Sequence, residues 1–254
     1  MAETLIWISG ATSGIGQALA RTVPYAGARV INLSRTPHPE LESVALDLED
    51  RSSWKRVAEH FARELAQFKG RALFIQNAVS IKDVGLMEKT EPAVYADSLT
   101  ANAVAPIVLG VSFLQALPPG VEGGLLMVSA GGAVKPYPGH SAYNASKAAL
   151  EQWVRGVRLE IGTRPDSRGK RPWVAAVRPG FVNTPMLQSV AKLDRERYPN
   201  VDTMEKARVD GTALPPEFIA KQIWSGLPPK PSAAVLICGA KGLRAFTDDG
   251  AEIQ

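Results

Sequence analysis

Two ionisable side chains, Tyr143 and Lys147, lie four residues apart in the segment Tyr143-Asn-Ala-Ser-Lys147. If this segment is helical, both side chains project from one face of the helix, about one turn apart. An ammonium group beside a phenol favours the phenolate and therefore lowers the pKa of the phenol. A phenol of that kind can exchange a proton with a carbonyl or an alcohol near neutral pH. The spacing predicts an acid–base pair.

A glycine-rich turn, Ser9-Gly-Ala-Thr-Ser-Gly-Ile-Gly16, follows the apolar run Thr4–Ser9 and precedes a helical pattern. A strand, turn and helix in this order are typical of a site for the pyrophosphate of a dinucleotide. We expect Gly10 to permit the tight turn, Gly14 to let the backbone approach the pyrophosphate, and Gly16 to let the helix pack closely on the strand. The N–H groups at the helix start then face the anion. A plain glycine-rich turn is the alternative for this motif alone.

The elements that position these residues alternate between strand and helix. Short apolar runs typical of buried parallel strands are Thr4–Ser9, Arg29–Ser34, Val44–Leu46, Ala72–Gln76, Gly124–Ser129, Trp173–Arg178 and Ala233–Cys238. Helical patterns cover Gly14–Tyr25, Ser52–Phe68, Ala93–Leu117, Ser141–Gly162 and Pro215–Leu227. The alternation predicts an α/β fold, a Rossmann-type doubly wound parallel sheet of about seven strands with helices on both faces. No repeat divides the chain, so we expect a single domain over residues 1–254.

Two segments fall outside this alternation. Met186–Ala213 is a long charged connection, and long loops in compact domains are usually functional or mobile. We expect it to close over a substrate with an apolar wall formed by Leu187, Val190, Tyr198 and Met204. Arg244–Gln254 is a polar tail, expected to be disordered or docked on another subunit.

The composition limits the remaining possibilities. With 29 Lys and Arg against 25 Asp and Glu, the chain carries a net charge of 29 − 25 = +4, and the excess forms no basic tract of the kind that binds nucleic acid. No apolar run approaches the roughly 20 residues of a membrane-spanning helix, so we expect a cytoplasmic protein without a membrane partner. Cys238, the only cysteine, reads as a small core residue. His38, His60 and His140 show no metal-ligand spacing, although His140 is close enough to Tyr143 to line a pocket.

Together the motifs resemble the short-chain dehydrogenase/reductase family, and the resemblance covers nearly the whole chain. The family's turn reads Thr-Gly-x-x-x-Gly-x-Gly, with Ser9 here in place of the threonine. The other matching motifs are Asp47-Leu48, Asn77-Ala78, Asn102, Tyr143-x-x-x-Lys147 and Arg178-Pro-Gly-Phe-Val-Asn-Thr184. Within the family, Val128–Leu150 looks most like the branch of sepiapterin reductase and benzil reductase.

The resemblance implies a nicotinamide dinucleotide as cofactor. Its implied contacts are Gly10, Thr12, Ser13, Gly14, Ile15, Gly16, Ser34, Arg35, Asp47, Leu48, Asn77, Ala78, Tyr143, Lys147, Pro179, Gly180, Val182 and Thr184. NAD enzymes of this architecture place an acid about 20 residues after the glycines. No acid lies between Glu3 and Glu40, and Arg35 stands where the acid is expected. Since an arginine there can pair with a 2′-phosphate, with Ser34 as helper, we expect NADP(H) rather than NAD(H).

The resemblance also implies the chemistry. Tyr143 would protonate a carbonyl oxygen as hydride arrives from the nicotinamide, and Lys147 would bind the ribose hydroxyls. Asn102 would hold a water that links Lys147 to solvent. The expected protein is a carbonyl reductase or alcohol dehydrogenase acting on a small molecule. Family members are often dimers or tetramers packed through the helices at Ala93–Leu117 and Ser141–Gly162.

Two positions depart from the family pattern. The family's Asn-Asn-Ala-Gly is Gln76-Asn-Ala-Val79 here. The family's catalytic serine usually lies one residue nearer the tyrosine than Ser129, which precedes Tyr143 by 143 − 129 = 14 positions, so that Ala130 takes its place. Either a shifted loop brings Ser129 into the pocket, or the hydroxyl is missing; the ungapped match favours the second. A catalytically weak cofactor-binding regulator or scaffold is the alternative function.

Overall fold

The computed structural model describes residues 3–163, 171–227, 233–247 and 252–253. In these residues nine strands form one sheet in the order β3-β2-β1-β4-β5-β6-β7-β8-β9. The strands are β1 (Glu3–Ser9), β2 (Arg29–Ser34), β3 (Glu42–Ala45), β4 (Gly70–Gln76), β5 (Glu122–Val128), β6 (Trp173–Arg178), β7 (Val235–Ile237), β8 (Arg244–Phe246) and β9 (Glu252–Ile253). Strands β1 to β7 pair in parallel, whereas β8 and β9 are antiparallel.

The described helices follow the predicted alternation with shifted ends. They are α1 (Gly14–Arg21), α2 (Arg51–Leu65), α3 (Pro92–Leu99), α4 (Ala105–Ala116), α5 (Ser141–Thr163), α6 (Pro185–Val190), α7 (Val201–Val209) and α8 (Pro216–Ser225). A π-helical turn, Thr100–Val104, joins α3 to α4 without a break. A π-helical insertion of this kind is frequent at functional sites.

The sheet is buried on both faces, as its central strand shows. Successive side chains of a strand point to opposite faces. In β1, Leu5 and Trp7 join a core that includes residues of α2 and α4. Ile6 and Ile8 join a second core that includes residues of α1 and α8. The predicted Rossmann-type α/β fold with helices on both faces is therefore confirmed.

The sheet is larger than the seven strands predicted, because the polar tail contributes two of them. In the described residues of the tail, β8 pairs antiparallel with β7 and β9 pairs with β8. The prediction that Arg244–Gln254 is disordered or docked elsewhere was wrong for these strands; residues 248–251 and 254 lie outside the described residues. Short polar strands at a sheet edge carry no apolar run, so the sequence pattern could not indicate them.

Half of the long connection Met186–Ala213 is helical. It holds nearly all of α6 and the whole of α7, whose apolar side chains form a separate small core with Val84. Thr184 begins α6, where its Oγ1 accepts a hydrogen bond from the backbone N–H of Leu187 at 3.3 Å. The residues predicted to form an apolar wall, Leu187, Val190, Tyr198 and Met204, are all buried in this core.

The expectation that no apolar run approaches the length of a membrane-spanning helix was wrong: Pro92–Ala116 is the one described segment that is long and apolar enough to cross a membrane, judged by length and composition alone. In the fold, 44% of its most apolar window is buried. Leu109 and Phe113 pack into the core on one face of the sheet and are fully buried. A core helix passes the same length and composition test, and the cytoplasmic location stays a prediction.

Candidate active site

A cleft of about 600 Å³ opens at the carboxyl ends of the central parallel strands. It lies where the chain order of the strands reverses beside β1, which is where open α/β sheets bind ligands. The sequence-predicted residues that line it are Gly10, Thr12, Ser13, Gly14, Ile15, Ser34, Arg35, Asp47, Leu48, Asn77, Ala78, Ser129, Tyr143, Lys147, Pro179, Gly180, Val182 and Thr184. Gly16 and Asn102 do not line the cleft; they contact the backbone of residues that do.

The glycine turn has the geometry that close approach of an anion requires. Gly10 has a φ of +71°, a conformation that other residues rarely adopt. A Cβ on Gly16 would lie 2.2 Å from the carbonyl oxygen of Gly10, so a larger residue cannot fit there. No side chain caps α1 at Ser13. The N–H groups at the start of this helix are therefore open to a phosphate.

Ser9 joins the ends of two central strands. Its hydroxyl oxygen accepts the backbone N–H groups of Asn77 and Ala78, each at 2.8 Å. The Asn77 amide donates in turn to the Ser9 carbonyl at 3.0 Å. These bonds hold the turn after β1 against the end of β4. A serine therefore supports the floor of the cleft in the place of the family's threonine.

Arg35 lies at the cleft and is exposed. In the described part of the chain its guanidinium makes no ion pair or hydrogen bond. The buried amide of Asn32 fixes the loop that carries Arg35, since it donates to Ser34 Oγ at 3.0 Å and to the Thr36 carbonyl at 3.2 Å. Asn32 Oδ1 also accepts the N–H of Ala11 at 3.2 Å, which ties this loop to the glycine turn.

Tyr143 and Lys147 lie in the first two turns of α5 and face the cleft together. The Lys147 ammonium donates to the carbonyl of Val128, at the end of β5, at 2.8 Å. Its nitrogen lies 5.5 Å from the centroid of the Tyr143 ring. Lys147 is 3% exposed, so this bond to the strand fixes its position beside the phenol.

The pKa of the Tyr143 phenol differs from the sequence expectation. Burial raises it above its usual value, and the negative charge of Asp83 raises it further. Burial lowers the pKa of Lys147 to about 8, and the Glu151 carboxylate partly opposes this change. The expected fall in the phenol pKa was therefore wrong for the free protein. A protonated phenol at neutral pH is the form that can donate a proton to a carbonyl.

Asp83 lies beneath this pair and has no signal in the sequence. Its side chain is 2% exposed, and Oδ2 accepts the backbone N–H of Tyr143 at 3.2 Å. Within the described residues, Oδ1 has no hydrogen-bond partner. Since Asp83 and Tyr143 are 60 positions apart, only the fold brings this carboxylate to the start of α5.

Asn102 lies in the π-helical turn with its amide fully engaged. Its Oδ1 accepts the N–H of Ser80 at 2.7 Å, and its Nδ2 donates to the Ser80 carbonyl at 2.8 Å. Nδ2 also donates to Ser98 Oγ at 3.1 Å. The side chain thus fixes the cleft-lining backbone after β4, and the water link to Lys147 stays a prediction.

Ser129 directs its hydroxyl to a buried ion pair. Its Oγ donates to Glu151 Oε1 at 2.7 Å, and Arg178 Nε donates to the same oxygen at 2.6 Å. Glu151 is 2% exposed. Neighbouring residues of an extended chain point in opposite directions, and Ala130 has extended backbone angles and lines the cleft. This geometry does not favour Ser129 as a catalytic hydroxyl and agrees with the second sequence expectation.

Ser129→Ala should lower stability and leave turnover per folded molecule unchanged. The substitution removes a hydrogen bond to a buried charged group, a loss of roughly 1.5–3 kcal/mol in the free energy of unfolding. Denaturant unfolding and steady-state kinetics on the same preparation check both parts. A fall in turnover without a change in stability would place the hydroxyl in the reaction after all.

His140 connects the pair to the segment between α6 and α7. Its Nε2 lies 2.7 Å from the hydroxyl of Tyr198, and its ring centroid lies 5.5 Å from that of Tyr143. Burial lowers the pKa of His140, which favours the neutral ring. The sequence placed His140 near the pocket, and the structure adds its buried contact with Tyr198.

A glycine turn at the strand-order reversal and a Tyr–Lys pair bordering the same cleft define a dinucleotide-binding α/β protein. A family model described as short chain dehydrogenase matches residues 4–194. This match covers most of the sequence, and the chain belongs to the short-chain dehydrogenase family. It is thus an oxidoreductase of a family that binds nicotinamide cofactors and acts on small molecules.

Relatives and solved structures agree with this assignment. A benzil reductase ((S)-benzoin forming) from Bacillus cereus is 25% identical over 230 residues, which is 85% of this chain and 90% of the relative. A human protein named inactive hydroxysteroid dehydrogenase-like protein 1 is 26% identical over 171 residues, 62% of this chain and 51% of that protein. The crystal structure of a short-chain dehydrogenase from Burkholderia cenocepacia in complex with NADP has a TM-score of 0.69 at 21% identity and covers 93% of this chain and 88% of its own.

Proposed function

We propose that the protein is an NADP(H)-dependent oxidoreductase of the carbonyl reductase type, which transfers hydride between the nicotinamide and a carbonyl or alcohol. One observation carries this proposal: Tyr143 and Lys147 line the same cleft as the glycine turn of residues 10–16. A proton donor and a dinucleotide site that share one cleft can serve one carbonyl group, whose carbon takes the hydride and whose oxygen takes the proton.

Tyr143 and Lys147 have separate roles in the proposed reaction. The bound nicotinamide supplies the hydride. The Tyr143 hydroxyl donates its proton to the carbonyl oxygen, and the phenolate takes the proton back when an alcohol is oxidised. The Lys147 ammonium, 5.5 Å from the Tyr143 ring, stabilises the negative charge left on the phenolate and binds the ribose hydroxyls. Its bond to Val128 keeps it in place for both tasks.

Three observations support NADP(H) over NAD(H). Arg35 is exposed at the cleft, and the described residues give it no ion-pair partner. The Asn32 side chain bonds both to the loop of Arg35 and to the glycine turn. These bonds fix the position of the Arg35 loop relative to the proposed pyrophosphate site. The similar structure from B. cenocepacia contains NADP.

Arg35→Ala should reduce the preference for NADPH over NADH. The substitution removes a charge-assisted hydrogen bond to the 2′-phosphate and should weaken NADPH binding by roughly 1.5–3 kcal/mol, with little effect on NADH. Fluorescence titration with both cofactors measures the preference. Arg21→Ala, an exposed arginine outside the cleft, is the matched control. Equal affinity for the two cofactors in the unmodified protein contradicts the proposal.

The substrate side of the cleft supports an apolar ketone or diketone. Ile81, Phe181, Leu187, Val190 and Met204 line it. Burial of apolar groups is the main source of affinity in pockets of this kind. The name of the similar B. cereus enzyme makes benzil the first carbonyl to test.

A catalytically weak regulator is the second candidate. It is favoured by Ala130 at the place of the family's serine and by the similarity to a human protein named inactive. A panel of aromatic and aliphatic ketones and diketones, assayed with NADPH and NADH, separates the two functions. Cofactor binding without reduction of any carbonyl supports the regulator, and loss of reduction in Tyr143→Phe supports the enzyme.

We also propose a homodimer or homotetramer and a single cytoplasmic domain. Apolar side chains exposed on α3, the π-helical turn, α4 and α5 support the assembly: Leu99, Val104, Val108 and Leu159. Exposed apolar residues on neighbouring elements are typical of protein–protein contacts. Light scattering at several protein concentrations measures the oligomeric state.

A further inference from the structure

The carbonyl oxygen of a substrate gains negative charge as hydride arrives, and donors placed around it stabilise that charge. Tyr143 supplies one donor. The second donor that the family resemblance implies, a serine hydroxyl, is missing from this position. The Ser129 hydroxyl is bonded to Glu151, and Ala130 has no hydroxyl. This inference rests on the proposed function and asks which side chain holds the other side of the oxygen.

Two polar neighbours of Tyr143 are unsuitable. His140 lines the cleft and its Nδ1 has no partner among the described residues, but this atom is buried, and Nε2 is bonded to Tyr198. Asn144 turns its Nδ2 to the carbonyl of Tyr137 at 3.2 Å and buries its Oδ1, which is an acceptor. In both side chains the unpaired atom is buried, and the other polar atom is already bonded to a neighbouring residue.

Tyr137 has the required properties. It lines the cleft and is partly exposed, and within the described residues its hydroxyl makes no hydrogen bond. That hydroxyl lies 3.5 Å from the position that a Cβ would take on Gly131. Gly131 directly follows Ala130 and also lines the cleft, so the phenol oxygen lies next to the residue that follows the position of the missing serine.

The backbone of Tyr137 is held firmly. Its carbonyl accepts both Asn144 Nδ2 at 3.2 Å and the N–H of His140 at 3.3 Å. Asn144 and His140 flank Tyr143 at the start of α5. The backbone that carries the Tyr137 phenol is therefore bonded to residues beside Tyr143, and a donor needs support of this kind to act in a transition state.

We propose that the Tyr137 hydroxyl is a second hydrogen-bond donor to the substrate carbonyl oxygen, opposite Tyr143. Tyr143 gives up its proton to the oxygen, whereas Tyr137 keeps its proton and only stabilises the charge. The substrate is then a ketone whose oxygen is held between two phenols, with its carbon substituents directed to the apolar wall of α6 and α7.

Tyr137→Phe tests this assignment because it deletes only the hydroxyl. We expect kcat to fall about 10²-fold with the fastest carbonyl of the panel, as when one oxygen-stabilising donor is lost elsewhere. Tyr25→Phe, a phenol packed on Trp224 far from the cleft, is the matched control. The double variant Ala130→Ser, Tyr137→Phe should recover most of the loss, and Ala130→Ser should gain much less in the unmodified protein.

A second measurement does not depend on turnover. Infrared spectra of ¹³C-labelled benzil, bound together with NADP⁺ so that no reduction occurs, report hydrogen bonds to the carbonyl oxygen. Loss of one donor in Tyr137→Phe should raise the carbonyl stretching frequency, and Tyr25→Phe should leave it unchanged.

The outcomes separate the two proposals. Reduction by the unmodified protein with undiminished kcat and an unshifted carbonyl band in Tyr137→Phe overturns the role of Tyr137 and leaves the proposed function in place. A lower kcat that Ala130→Ser cannot rescue, with an unshifted band, also overturns it and makes Tyr137 a packing residue. No reduction of any carbonyl with either cofactor overturns the proposed function and this inference together.

Discussion

Tyr143→Phe should lower turnover about 10²–10⁴-fold while leaving NADPH binding nearly intact, because the ring stays and only the proton donor is lost. The ring packs at 5.5 Å from Lys147 Nζ and from the His140 ring centroid, and neither contact needs the hydroxyl. Steady-state reduction of the best carbonyl and a cofactor titration measure the two parts. Tyr95→Phe, a phenol bonded to Ser141 outside the cleft, is the control.

The pKa values of Tyr143 and Lys147 predict how the rate of reduction depends on pH. Burial and Asp83 raise the pKa of Tyr143, so the phenol stays protonated through neutral and mildly alkaline pH. Lys147 has a pKa of about 8 and carries its charge below that pH. Reduction should therefore proceed at neutral pH and decline as the pH rises past about 8.

Undiminished turnover in Tyr143→Phe would mean that a group other than the Tyr143 hydroxyl donates the proton to the carbonyl.

Glu151→Ala should lower the free energy of unfolding by about 3–5 kcal/mol, because it leaves Arg178 buried without its partner. The Glu151 side chain is 2% exposed and that of Arg178 is 13% exposed, so water can replace the lost carboxylate only in part. Ser129 loses its acceptor at the same time. Denaturant unfolding, monitored by tryptophan fluorescence, measures the change.

Two control variants test whether the loss of stability in Glu151→Ala comes from breaking the buried ion pair. Glu151→Gln keeps an acceptor for Ser129 and removes only the charge, so it should be less harmful than Glu151→Ala. Asp202→Ala breaks an exposed pair with Arg195, with side chains 69% and 72% exposed, and should leave the unfolding midpoint unchanged. If Glu151→Ala unfolds at the same denaturant concentration as the unmodified protein, the buried pair contributes nothing to stability.

The sequence predicted the parallel strands and the glycine turn because both have local signals. Buried parallel strands are continuous apolar runs, and Trp173–Arg178 was predicted with the bounds that the structure shows. The sequence did not indicate α6, α7, β8 and β9. Those elements are short and mixed in polarity, and they are stabilised by contacts with distant parts of the chain.

In the site, too, the features with a local sequence signal were predicted and those that depend on distant contacts were not. The pairing of Tyr143 with Lys147 is a spacing within one helix, and the structure brings both to the cleft. Asp83 under Tyr143 and the bond of Ser129 to Glu151 depend on packing between elements, which no local pattern records. The direction of the Tyr143 pKa was missed for a related reason, since burial and the charge of Asp83, which both raise it, depend on the fold.

Tyr198 anchors the segment between α6 and α7 to the turn that precedes α5. It is fully buried and bonded to His140, and its neighbour Asn200 donates to the carbonyl of Pro138 at 2.9 Å. Leu187 and Met204 line the cleft and pack in the same small core as Tyr198, so a protein engineer who changes one of them must repack the other, while the bonds of Tyr198 and Asn200 keep the segment attached.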